Sequence, residues 1–112
     1  MTIFEKIARR EIPAEIVYEE ADFFAFKDIN PQAPVHVLLA TKEHIPSLDA
    51  VTADHAQLIG AAIAAVPKIA ESLGVAGNYR LISNCGEGAG QSVSHLHFHI
   101  VSGSDELRTR LL

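Results

Sequence analysis

The chain has 112 residues, a mass of 12.1 kDa and a formal net charge of -5. That length suits one core rather than two, and 48% apolar with 21% charged residues argues against a disordered chain. The acidic balance argues against tracking a nucleic-acid backbone, but not against a pocket for one nucleotide. The longest apolar stretch, Leu58 to Val66, is far short of a membrane span, and no apolar leader core follows Met1. The lone Cys85 cannot form an internal disulfide, so a reducing cytoplasm and no membrane association are expected.

Thr2-Ile3-Phe4-Glu5 fits a capping box opening a short helix, with Ile3, Phe4 and Ile7 on one face and Pro13 closing the segment. Ile16 to Glu20 and Phe23 to Asp28 read as two strands joined by Ala21-Asp22, and Asn30 to Pro34 reads as a turn. Val35 to Thr41 reads as a third strand, with His36, Leu38 and Ala40 on one face and Val37, Leu39 and Thr41 on the other. Thr52 caps one long helix that the apolar spacing carries to Leu73, with a bend expected at Pro67. Tyr79 to Asn84 reads as a fourth strand and Ser94 to Val101 as a fifth, with a glycine-rich loop, Gly86 to Gly90, between them. The expectation is α+β: residues 1–112 as one domain, a five-stranded antiparallel sheet with one long helix and a short N-terminal helix.

The segment that carries chemistry is His95-Leu96-His97-Phe98-His99. On a strand its three imidazoles share one face and its apolar residues the other. Such a row could be a set of hydrogen-bonded histidines without a role. It could bind a metal, but the nearest following acids, Asp105 and Glu106, sit in a tail that reads as non-strand. Or it could attack and protonate groups at a phosphorus centre. The glycine-rich loop favours the last, because its backbone can approach an anion closely and Gln91 and Ser92 add polar groups. His44 and His55 read as surface or capping residues, and Cys85 as a small half-buried side chain.

The chain resembles the histidine triad (HIT) superfamily, and within it the Hint branch of histidine triad nucleotide-binding proteins. The resemblance runs through Ile3-Phe4-Glu5-Lys6-Ile7, Glu11-Ile12-Pro13-Ala14, Phe26 to His36, Lys42-Glu43-His44-Ile45, Gly90-Gln91-Ser92-Val93 and the triad. It implies a hydrolase of purine nucleoside phosphoramidates, such as AMP joined to an amine, that works through a nucleotidyl-histidine without a required cofactor or metal. Within that implication His97 is the nucleophile and the His95 carbonyl orients it. His99 binds the phosphate and the departing group, Ser92 helps protonate the leaving amine, and His36 supports the triad. Asp28 takes the ribose hydroxyls. Asn84, Gly90, Gln91, Ser92 and Val93 surround the phosphate, and Ile3, Phe4, Ile7, Phe26, Ile29 and Leu38 line the base pocket. A homodimer using the long helix is implied too. The tail from Ser102 to Leu112 lacks the tryptophan usual in that branch. Two other readings stay open: a dinucleoside polyphosphate hydrolase, and a nucleotide-binding scaffold with incidental turnover.

Overall fold

The computed structural model describes residues 1–104 and Leu107. Asp105 and Glu106, and the tail residues after Leu107, lie outside the described residues. The order along the chain is α1 (Ile3–Ala8), β1 (Ile16–Glu19), β2 (Phe23–Lys27), β3 (Val35–Thr41), α2 (Ala56–Ser72), β4 (Arg80–Ile82) and β5 (His97–Ser102). The strands form one antiparallel sheet in the order β1-β2-β3-β5-β4, as expected for this α+β chain.

Alternation along the central strands divides the core. Val37 and Leu39 of β3, Phe23 and Ala25 of β2, and Ile100 of β5 face α2, which answers with Ala62, Ala65, Val66 and Ile69. Leu38 and Ala40 turn to the opposite face and pack with Phe24, Phe26, Phe4 and Ile7. Among the described residues that face is covered only by α1 and loops, which leaves room for a cavity. The capping box is as expected: the Glu5 amide donates to the Thr2 hydroxyl (3.2 Å) and the Thr2 amide to Glu5 Oε1 (2.8 Å). Phe4 and Ile7 are buried, whereas Ile3 stays 47% exposed.

Several boundaries differ from the sequence expectations. The long helix begins at Ala56, because Thr52 caps a separate 3-10 turn, Ala53–His55, with the His55 ring completing the box. The helix runs on through Pro67, which sits on its exposed side. β4 is shorter than Tyr79 to Asn84. After Ile82 the Ser83 hydroxyl, not a backbone amide, donates to the His97 carbonyl (2.8 Å). The fifth strand starts at His97 rather than Ser94. The Leu96 amide donates to the Ile45 carbonyl (2.6 Å) and the His95 amide to the Val93 carbonyl (2.8 Å), so residues 93–96 are tied to loops instead of to β3. His95 therefore is not a third member of a strand ladder.

Candidate active site

Four imidazoles gather beside the cavity, each fixed by a partner that leaves no choice of tautomer. The Gln32 amide donates to His36 Nδ1 (2.9 Å), so the proton of a neutral His36 ring is on Nε2. That proton goes to His99 Nδ1 (2.9 Å), and Asp28 Oδ2 lies 3.4 Å from the same nitrogen. His99 must then carry its own proton on Nε2. The His97 ring does the reverse. Its Nδ1–H donates to the His95 carbonyl (2.6 Å), which leaves Nε2 bare. Two neighbouring rings with centroids 5.1 Å apart thus present opposite chemistry: a lone pair on His97 and an N–H on His99.

Burial keeps these rings neutral. It lowers the pKa of His97 below the ordinary imidazole value, partly offset by the hydrogen bond to the His95 carbonyl and by Asp28. His36 is lowered by burial against the pull of Asp28. His99 is pushed down to about 4, first by burial and then by His97 and His36 beside it. His95, fully buried, is also lowered mainly by burial. Its Nε2–H donates to the Thr41 carbonyl (2.6 Å) and its Nδ1 meets the Thr2 hydroxyl (2.7 Å).

His97 and His99 close one end of a cavity of about 760 Å³. Its walls include Ile3, Phe4, Ile7, Phe26, Leu38, Asp28, Ser92 and Val93. Phe4 stands edge-on to His97 with ring centroids 4.9 Å apart, so the apolar wall also holds the imidazole in place. Ile29 borders the cavity but is 92% exposed, which makes it a rim residue rather than a buried wall. Sequence reading missed Ile12, Pro13, Ala14, Glu15 and Lys27, which complete the lining. The Glu11-Ile12-Pro13-Ala14 match was the available signal for the first three and the Phe26 to His36 match for Lys27; Glu15 had none.

The other expected residues sit around this cavity rather than in its lining. His36 and Asn84 border a smaller recess of about 160 Å³ on the far side of His99. Gly90 adopts a left-handed conformation (φ 94°) after the 3-10 turn Glu87–Ala89, within reach of Asn84. Gln91 differs from its expected role as a polar contact for the ligand. Its Oε1 accepts from the Gly86 amide (2.8 Å) and its Nε2 donates to the Pro46 (2.8 Å) and Val93 (2.9 Å) carbonyls. It braces the loop that carries Ser92 and Val93. His44 is exposed and donates to the Ser94 carbonyl (2.7 Å), and Cys85 is half-buried, as expected.

Among the described residues, Asp28, His36 and His99 bring one ligand atom each within 4.8 Å of one another, the geometry of a possible metal centre. The acid of this cluster is not one of the tail residues nearest in sequence to the triad. The fold supplies one from the end of β2 instead.

The HIT domain model matches residues 9–106. This chain belongs to the HIT family. It is 51% identical over 102 residues to an uncharacterized HIT-like protein of Synechocystis, covering 91% of this chain and 90% of that protein. It is 48% identical over 103 residues to the purine nucleoside phosphoramidase of Escherichia coli, covering 91% and 87%. A crystal structure of a HIT family hydrolase from Legionella pneumophila superposes with a TM-score of 0.89 at 39% identity, covering 94% and 95%. No helix among the described residues of this HIT protein is long and apolar enough to cross a membrane.

Proposed function

We propose that this HIT protein hydrolyses purine nucleoside phosphoramidates, such as AMP joined to an amine, through a covalent nucleotidyl-histidine. The observation that carries the reading is the pair of complementary tautomers at the end of an apolar cavity. The bare Nε2 of His97 attacks phosphorus and the bond from phosphorus to the amine nitrogen breaks. The Nε2–H of His99 and the amides near Ser92 and Val93 meet the charge that develops on the phosphoryl oxygens. The departing nitrogen takes a proton that enters from solvent through the Ser92 hydroxyl, and the water of the next step gives one back. Water then cleaves the bond between His97 and phosphorus, releasing AMP and restoring the bare nitrogen. Asp28 accepts from the ribose hydroxyls, while Phe4, Ile7, Phe26 and Leu38 hold the base. Few polar side chains face that base, so both purines fit.

No metal takes part in this reading. A cation on Asp28, His36 and His99 would need Nε2 of His36, whose proton now serves His99. The 48% identical phosphoramidase of Escherichia coli supports the substrate class. The family resemblance and the exposed small and apolar residues of α2, among them Ala61, Ala64 and a 40% exposed Ile63, support a homodimer through that helix. The unpaired Cys85 suits a reducing cytoplasm.

A panel of adenylates that differ only in the leaving group tests the proposal. The specificity constant is higher for adenosine phosphoramidates than for diadenosine polyphosphates, since a nitrogen leaving group gains most from a positioned acid, by about 10²–10⁴-fold. Ser92→Ala loses activity selectively on the phosphoramidates. A preference for the polyphosphates would move the chain to that class of substrate, and binding without turnover of either would leave a nucleotide-binding scaffold.

A further inference from the structure

Thr2 does two things at once. As N-cap of α1 its hydroxyl oxygen accepts from the Glu5 amide (3.2 Å), and the same oxygen lies 2.7 Å from Nδ1 of His95. The direction of the second bond is determined. His95 Nε2 lies 2.6 Å from the Thr41 carbonyl, which can only accept, so the ring proton is on Nε2 and Nδ1 is bare. The Thr2 hydroxyl must be the donor. His95 is fully buried and anchored at both nitrogens, and its own carbonyl fixes the tautomer of His97 at 2.6 Å. Because residues 93–96 are outside the sheet, no ladder hydrogen bond holds the His95 backbone to β3. It is held instead by two loop bonds, the His95 amide to the Val93 carbonyl (2.8 Å) and the Leu96 amide to the Ile45 carbonyl (2.6 Å), and the doubly anchored ring is the third point that orients it. Thr2 is absent from the lining of the cavity and touches no atom of the space a nucleotide would fill.

We infer that Thr2 is a positioning residue: its hydroxyl anchors the buried His95 ring, and through the His95 carbonyl it holds His97 with Nε2 bare and aimed at the cavity. The inference rests on the hydrolase reading for its kinetic consequence, but not for the contact itself. It also explains why a helix of six residues is capped so completely. α1 carries Phe4 against His97 from one side, and its cap orients His97 from the other.

Three variants separate the two jobs of the hydroxyl. Thr2→Ser keeps cap and donor and behaves as wild type. Thr2→Val removes both. Thr2→Asp keeps a strong N-cap but offers His95 an acceptor instead of a donor. Each is followed by kcat and KM on an adenosine phosphoramidate, by AMP affinity, by thermal melting, and by nitrogen-15 spectra of the imidazole rings. In wild type and Thr2→Ser the spectra show His95 protonated on Nε2 and His97 on Nδ1. In Thr2→Asp, His95 gains a proton on Nδ1 and His97 becomes a mixture of tautomers. Its kcat falls about 5- to 10-fold, the effect of losing one orienting hydrogen bond, while AMP affinity and melting stay near wild type. An unchanged kcat, or a lower kcat with unchanged His97 signals, overturns the inference. If wild type turns over no phosphoramidate, the substrate reading falls, and the ring spectra still decide whether Thr2 sets the tautomers.

Discussion

The two faces of this sheet are built by the same strands and do different work. Along β3, Val37 and Leu39 pack under α2, while Leu38 lines the cavity and His36 the smaller recess beside it. Along β5, Ile100 joins the first face and His97 and His99 the second. The α2 face is apolar and closed, so each side chain there contributes by burial alone. Beside the cavity on the other face, four imidazoles are hydrogen-bonded so that His97 keeps a lone pair and His99 an N–H, and both of these rings line that space. Stability and chemistry are separated by the period of the strand, one residue apart.

The sharpest break between the faces comes from His97→Ala. Turnover of an adenosine phosphoramidate falls by at least about 10⁴-fold, because no other bare ring nitrogen faces phosphorus. AMP binding persists if base and ribose meet other residues as proposed, and so does the melting temperature to within a few degrees. Mass spectrometry of a quenched reaction detects a nucleotidyl adduct on His97 in wild type and none in the variant.

The converse substitution is Ile69→Ala on α2, fully buried against the sheet. It lowers stability by about 2–5 kcal/mol through lost burial and an unfilled cavity. In urea titrations the midpoint drops, while kcat per folded molecule stays unchanged. A kinetic loss as large as the stability loss would show that the two faces are coupled.

Acid separates the faces by another route. His36, His95, His97 and His99 all have pKa values lowered by burial, His99 to about 4. Below the ordinary imidazole value of about 6.5 the unfolded chain binds protons that the folded chain refuses, so stability is full above that value and declines as pH falls. His99 alone accounts for on the order of 3 kcal/mol once the pH has dropped to about 4. Urea midpoints measured from pH 7 to pH 4 fall accordingly. His99→Asn, which removes the largest of these shifts, flattens the slope.

Much of the α2 face was legible in the sequence, and less of the cavity face. Alternation in Val35 to Thr41 and helical spacing from Leu58 to Leu73 are local patterns, and the elements follow them. Alternation also ran through Ser94 to Val101, but there it misled. Side-chain period does not show where backbone amides find partners, and the Leu96 amide reaches Ile45 instead of β3. The family resemblance brought Asp28, Ser92, Val93, His97 and His99 to one list, and the fold puts them around one cavity. What no pattern could show are the tautomers. They are set by a Gln32 amide, a Thr41 carbonyl and the Thr2 hydroxyl, each distant in sequence from the triad or lacking any side-chain signature. Gln91 illustrates the same limit: its polarity was visible, its commitment to three backbone groups was not.

The smallest expected effect tests where the two roles of Asp28 divide. Its side chain is 19% exposed and sits at the end of β2, on the cavity lining. Oδ1 accepts from the Asn30 amide (2.9 Å), and Oδ2 lies 3.4 Å from His36 Nε2. Each carboxylate oxygen keeps a second lone pair, and a pair of ribose hydroxyls is a suitable donor set for them. Loss of a hydrogen bond to a charged group costs about 1.5–3 kcal/mol, or roughly 10–100-fold in affinity. Asp28→Asn therefore weakens AMP by that factor but changes the affinity of the dideoxy analogue much less, as calorimetry on the pair can read. The wild type prefers the ribonucleotide, and the variant loses most of that preference. An equal loss for both ligands would mean that Asp28 acts instead through His36, because an amide NH₂ placed on Nε2–H repels it and disturbs the proton that His36 gives to His99. That outcome would move Asp28 from the ribose to the chain of imidazoles and leave the hydroxyls to be met by other atoms of the rim.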